Sequence, residues 1–300
     1  MPLFRRKKAS ARKVRVKKFY REDGSAIEVT EEQDRQNRRL DAERNWQNPE
    51  RLKELGKGCI YSKYFDLAEW IFERVMELDP EDDEAVIQFS SALLNQKRWD
   101  EAEELVSNYL VKDPNSSVAH QFMSVIYEKK GEYEKSMKEM QRAIECDPNN
   151  ERALWIVYWK THRIGGDKAA LRQMEEFASR FPQAWGPTYI IARHFEELNP
   201  ERAKRNYERA LRRDDTDTVL LSYTAFLGKT GNHKEMIEVV EERRKRKSVD
   251  FRVLFNLGEA YLEQGDIEKA FDVSIELQTL VPPPYKKRLR DFIHRVHALR

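Results

Sequence analysis

The chain has 300 residues, 40% of them hydrophobic and 36% charged, with only 11 glycines and 11 prolines. So high a charged fraction, against the ~25% usual in globular domains, suits helices with broad solvated faces and excludes collagen-like sequence. Two distant cysteines, Cys59 and Cys146, exclude a disulfide framework, and no apolar run approaches the ~20 residues that span a bilayer. A basic N-terminus without an apolar stretch behind it argues against a secretory signal, so a cytoplasmic location with reduced thiols is expected.

Nine of the 55 basic residues fall in the first 18 positions: Arg5, Arg6, Lys7, Lys8, Arg12, Lys13, Arg15, Lys17 and Lys18. No acidic residue accompanies them, which leaves 46 basic against 53 acidic residues in the remainder. The chain is therefore a mildly acidic body with a basic arm. Val14, Val16 and Phe19, then Asp23-Gly24, then Ile27 and Val29 have the pattern of a short β-hairpin. An isolated hairpin is marginal in water, so disorder is the preferred expectation for residues 1–30. Residues 31–48 read as a leading segment whose Glu31 to Trp46 stretch is a polar helix.

From residue 49 a clock begins. Pro80, Pro114, Pro148 and Pro182 stand 34 residues apart, as do Gly131 and Gly165, and Gly231 and Gly265. Small residues keep the same period at Ala68, Ala102, Ser136 and Ala170. Each period reads as two helices. Val86, Phe89, Ser90 and Leu93 make one apolar stripe, a polar turn follows at Asn95-Gln96-Lys97, and Ala102, Val106 and Tyr109 mark a second helix that Asp113-Pro114 ends. A lone pair cannot cover its apolar face, so the pairs must stack.

This pattern resembles the tetratricopeptide repeat (TPR) family. Leu254, Leu257-Gly258, Tyr261, Gly265, Ala270, Leu277 and Pro282 match its consensus best, and Leu52, Leu55-Gly56, Ala68, Phe72 and Pro80 match in the first repeat. The resemblance implies an all-α, right-handed superhelical solenoid of about seven repeats over residues 49–284. Tyr158 stands where a small residue is usual, so that helix pair is expected to splay. Residues 285–300, with Leu289, Phe292, Ile293, Val296 and Leu299 on one stripe, are expected to form a capping helix.

Signatures of catalysis are missing: there is no phosphate-binding loop, nucleophile elbow or zinc-protease motif. His294 and His297 lie one turn apart but read as a solvated face, so neither a metal nor a cofactor is expected. By resemblance to the family, the concave groove is lined by fixed positions of each first helix. In the first repeat these are Lys53, Lys57 and Tyr61. The fourth gives Arg152, Trp155, Trp159, His162 and Arg163, and the fifth gives Tyr189 and Arg193. The sixth gives Ser222, Phe226 and Lys229, and the seventh gives Arg252 and Phe255. Trp155 and Trp159, at i and i+4, share a stripe offset from the packing positions Leu154, Val157 and Tyr158. Either they form an exposed aromatic anchor among arginines, or they pack against the next repeat.

The chaperone-type carboxylate clamp of the family is incomplete, because Gln88, Val118 and Phe122 replace its polar residues. The leading expectation is a non-catalytic scaffold that holds a peptide or protein partner in the groove. The alternative is an RNA- or ribosome-associated factor whose basic arm contacts phosphates.

Overall fold

A computed structural model describes residues 16–20, 26–214 and 216–300. Val16–Tyr20 (β1) and Ala26–Thr30 (β2) pair antiparallel, with Phe19 opposite Ile27 and Val16 opposite Thr30. These ten residues carry the alternating β-formers of the hairpin pattern, paired in one register. The remaining expectation for residues 1–15 and 21–25 lies outside the described residues. Thr30 then starts α1 (Glu31–Arg44) through a capping box in which its side chain and that of Gln33 exchange hydrogen bonds with each other's backbone N–H.

The chain divides into two compact units, Met1–Arg142 and Ala143–Arg300. In the first, helices follow in pairs: α2 (Pro49–Tyr61) with α3 (Phe65–Leu78), α4 (Asp83–Asn95) with α5 (Trp99–Lys112), and α6 (Ser117–Lys130) with α7 (Tyr133–Cys146), which runs into the second unit. The second unit holds α8 (Glu151–Arg180), α9 (Gly186–Phe195), α10 (Pro200–Leu211), α11 (Thr218–Lys229), α12 (His233–Arg244), α13 (Phe251–Glu263), α14 (Ile267–Leu280) and α15 (Lys286–Leu299). The span labelled α8 comprises the two helices of the fourth pair, which meet at a kink at Gly166, whose φ of 71° and ψ of −171° are not helical. Among the described residues no helix is long and apolar enough to cross a membrane.

The clock is visible in three sets of contacts. Ala68, Ala102, Ser136 and Ala170 are fully buried, which lets neighbouring backbones approach. At the serine, the hydroxyl is satisfied by Ser124 Oγ at 3.0 Å. Asn48, Asp82, Ser116 and Asn150, also 34 apart, each cap a first helix by accepting the N–H of the residue three positions on, at 2.8–3.3 Å. The turn inside five of the pairs holds a left-handed residue, Gly131, Gly231 and Gly265 in three of them and Lys63 (φ 65°) and Lys97 (φ 64°) in the first two repeats.

The capping register fails at Ala184. There α9 has no cap of its own, and Asn149 Oδ1 from the preceding connection accepts both Trp185 N–H (2.9 Å) and Gly186 N–H (3.0 Å). Gly186 is obligatory here, because a Cβ would stand 2.6 Å from both Leu154 Cδ1 and the Pro148 carbonyl oxygen.

Two substitutions test this register by urea unfolding. Asn149→Ala leaves two buried N–H groups unpaired and is expected to cost about 1–3 kcal/mol, more than the ~1 kcal/mol of the single cap lost in Asn150→Ala. Lys97→Gly relieves a left-handed non-glycine residue and is expected to stabilise by about 1 kcal/mol.

Candidate functional site

The first helices of the second unit carry the informative surface. On α8, Trp155 and Trp159 stack with ring centroids 6.2 Å apart and planes 19° from parallel. Tyr158 meets both edge-on, at 5.5 and 5.2 Å. Tyr158 is itself buried, and its hydroxyl lies 2.6 Å from His194 Nδ1 on α9. Burial holds His194 below the usual imidazole pKa, so a neutral ring is available to accept the phenolic proton. Tyr158, held by His194, thus supports the two indoles edge-on. Trp159 is 56% exposed, whereas Trp155 is half-buried and donates its Nε1–H to Glu151 at 3.3 Å. His162 closes the ledge, edge-on to Trp159 at 5.4 Å with Nε2 3.0 Å from Asp167. Arg152 and Arg163 are exposed, and Ile164 beyond them is 90% exposed.

Further along, Arg193 on α9, Lys229 on α11, Arg252 and Asn256 on α13, and Tyr285 and Arg288 at the start of α15 surround a cavity of about 320 Å³. Phe292, fully buried, seats α15 against α13: its Cζ lies 2.5 Å from where a Cβ on Gly258 would stand.

Several predicted groove residues prove to be internal. Tyr189, Phe226 and Phe255 are buried. Tyr189 hydrogen-bonds Ser222 at 2.9 Å and meets the Tyr207 ring, Phe226 stacks among Tyr207 and Tyr223, and Phe255 meets Phe292 edge-on. These rings pack between neighbouring helices, where apolar area is removed from water, and Phe226 also borders the cavity of about 320 Å³. Lys53 is buried too, clamped by Asp82 at 2.7 Å and Glu50 at 2.8 Å. The hydrogen bond it donates to Asp82 raises its ammonium pKa. Lys57 pairs with Glu84 at 2.9 Å. These two lysines hold α2 to α4; Lys57 and Tyr61, the latter 91% exposed, are groove positions of that repeat that stay on the surface.

Of the basic arm, Arg5, Arg6, Lys7, Lys8, Arg12, Lys13 and Arg15 lie outside the described residues. Lys17 and Lys18 fall on β1, opposite Val29 and Glu28. His297 packs edge-on against Phe271, and among the described residues no three His, Cys, Asp or Glu side chains gather as a metal site. Sequence reasoning missed Asn256, Tyr285 and Arg288. A signal was present: α15 begins about one repeat length after α13, the register of another first helix. It also missed a second aromatic stack in the first unit, Trp46 on Trp70 at 4.4 Å, with Arg39 and Arg74 over the rings.

Gly258→Ala tests the seat of α15. Displacing Phe292 is expected to cost about 1–3 kcal/mol, read as a lower thermal midpoint by circular dichroism.

Residues 63–126, 118–150 and 252–282 each match a tetratricopeptide repeat model. No curated protein matches the sequence. Among solved structures, yeast Tom70 is similar at 17% identity and a TM-score of 0.56 over 89% of this chain, and the chain covers 59% of Tom70. A tetratricopeptide repeat protein from Parabacteroides merdae is similar at 13% identity and a TM-score of 0.42, covering 83% of this chain and 98% of that one. MamA from Desulfovibrio magneticus RS-1 is similar at 20% identity and a TM-score of 0.39 over 49% of this chain and 84% of that one.

Proposed function

Because the chain belongs to the tetratricopeptide repeat family, a family of protein-interaction scaffolds, we propose that it is a non-catalytic scaffold that binds a peptide segment of a protein partner along the first helices of residues 143–300. The observation that carries this reading is Trp159, more than half exposed on a ledge that Trp155, Tyr158 and His162 hold in place. A large aromatic ring left in water on a preordered support is the type of residue that dominates binding energy, because little side-chain entropy remains to be lost on contact. Arg152 and Arg163 beside it favour a partner with an apolar anchor flanked by acidic groups.

Selection of peptides from a random display library on the immobilised chain tests the proposal. Selected sequences are expected to carry an aromatic or aliphatic anchor with nearby Asp or Glu. Trp159→Ala, alone or with Trp155→Ala, is expected to weaken their binding at least tenfold in fluorescence anisotropy, ~1.4 kcal/mol or more, with the helical circular dichroism unchanged. Unchanged affinity in the double variant overturns the assignment of the ledge.

A further inference from the structure

Four cations surround the cavity of about 320 Å³ described above, and their neighbours do not cancel them. Arg252 is chelated by its own Asp250, at 2.8 Å through Nε and 2.9 Å through Nη2. Arg193 pairs with Glu196 at 3.1 Å. Lys229 stands 3.9 Å from that same Glu196, at the limit of an ion pair, and its side chain is 71% exposed. Arg288 has no carboxylate partner among the described residues and lies over the Phe255 ring, 4.5 Å from its centre. Two positive charges, those of Lys229 and Arg288, therefore remain uncompensated.

The polar wall is ordered as well. Ser222 Oγ is tied to the Tyr189 hydroxyl at 2.9 Å, and Asn256 spends one amide N–H on Thr224 Oγ1 at 2.9 Å. An asparagine amide has a second N–H and a carbonyl to offer. A guanidinium laid on an aromatic face likewise keeps its planar edge of donors for a ligand. The cavity lies at the small end of the ~300–1,000 Å³ range of ligand sites, a size for a few polar side chains. Its charge is confined to one cup with Glu196 on the wall, unlike the extended basic stripe that tracks a nucleic-acid backbone.

We infer that this cup is an anion subsite, completed by Arg288 of α15, that receives two adjacent carboxylates of an acidic peptide segment. The inference rests on the reading of the first helices as the peptide-binding face. It adds the charge pattern of the ligand, and it makes α15 part of the site besides a cap.

The test uses the full chain and two fluorescein-labelled decapeptides of Gly and Ser, one with a central Glu-Glu pair and one with Gln-Gln. The Glu-Glu probe is expected to bind with a Kd below about 1 mM at low salt and to weaken as salt rises. The Gln-Gln probe is expected not to bind. Lys229→Ala with Arg288→Ala is expected to lower affinity at least tenfold, Arg288→Lys to retain most of it, and Lys168→Ala with Arg172→Ala on α8 to leave it unchanged. Equal binding of both probes, no binding of either, or full affinity in the Lys229/Arg288 variant overturns the inference. So does tighter binding of a uridine decanucleotide through the same two residues. If Arg288 and Lys229 govern the probe while tryptophan loss leaves display-selected peptides bound, the cup stands and the aromatic ledge falls. If the tryptophans act and the cup does not, this inference alone fails.

Discussion

Close approach of helices at a fully buried small side chain, repeated at Ala68, Ala102, Ser136 and Ala170, is the constraint on which the rest of the structure depends. A larger residue at these positions would push the paired helices apart and open voids that dispersion contacts now fill. Because that spacing recurs every 34 residues, the N-caps at Asn48, Asp82, Ser116 and Asn150 fall into step with it, and each first helix starts at the same place in its repeat. Each local choice agrees with the stacking, the consistency expected of a sequence that specifies one fold.

The candidate site lies where the clock slips. Past Asn150 the next first helix, α9, loses its own cap, the turn of the fourth pair shifts by one residue to Gly166, and Tyr158 stands in place of a small residue. Tyr158 then reaches across to His194, and the support it provides is what leaves Trp159 raised and exposed. The stacking rule is obeyed by substitution, with Asn149 capping α9 in place of residue 184. A departure from the repeat that is compensated at the backbone leaves a side-chain arrangement that no regular repeat would hold.

The helix pairs were legible because apolar period, turn residues and Asp-Pro endings all report on short-range structure. What the sequence did not separate was Trp159 from Tyr189, Phe226 and Phe255. All four occupy groove positions of the family pattern, yet the last three fill seams between neighbouring first helices and only the tryptophan stays on the surface. Which of the two happens depends on the width of each seam, and that is set by residues about one repeat away: Ser222 against Tyr189, Phe292 against Phe255. Lys53 proves buried for the same reason, since Asp82 that binds it belongs to the next repeat. At Val16–Tyr20 and Ala26–Thr30 the local alternation was readable, and the two segments pair in the register it sets. Arg288 escaped notice because a stripe of Leu289, Phe292 and Val296 explains α15 as a cap without reference to its other face.

The most direct measurement is the indole region of a nitrogen–proton correlation spectrum of the full chain, in which the six tryptophans give separate Nε1–H signals. On titration with a peptide that the chain binds, the account predicts shifts at Trp155 and Trp159 while Trp46, Trp70 and Trp99 stay in place. Shifts confined to the Trp46–Trp70 stack of the first unit would contradict it.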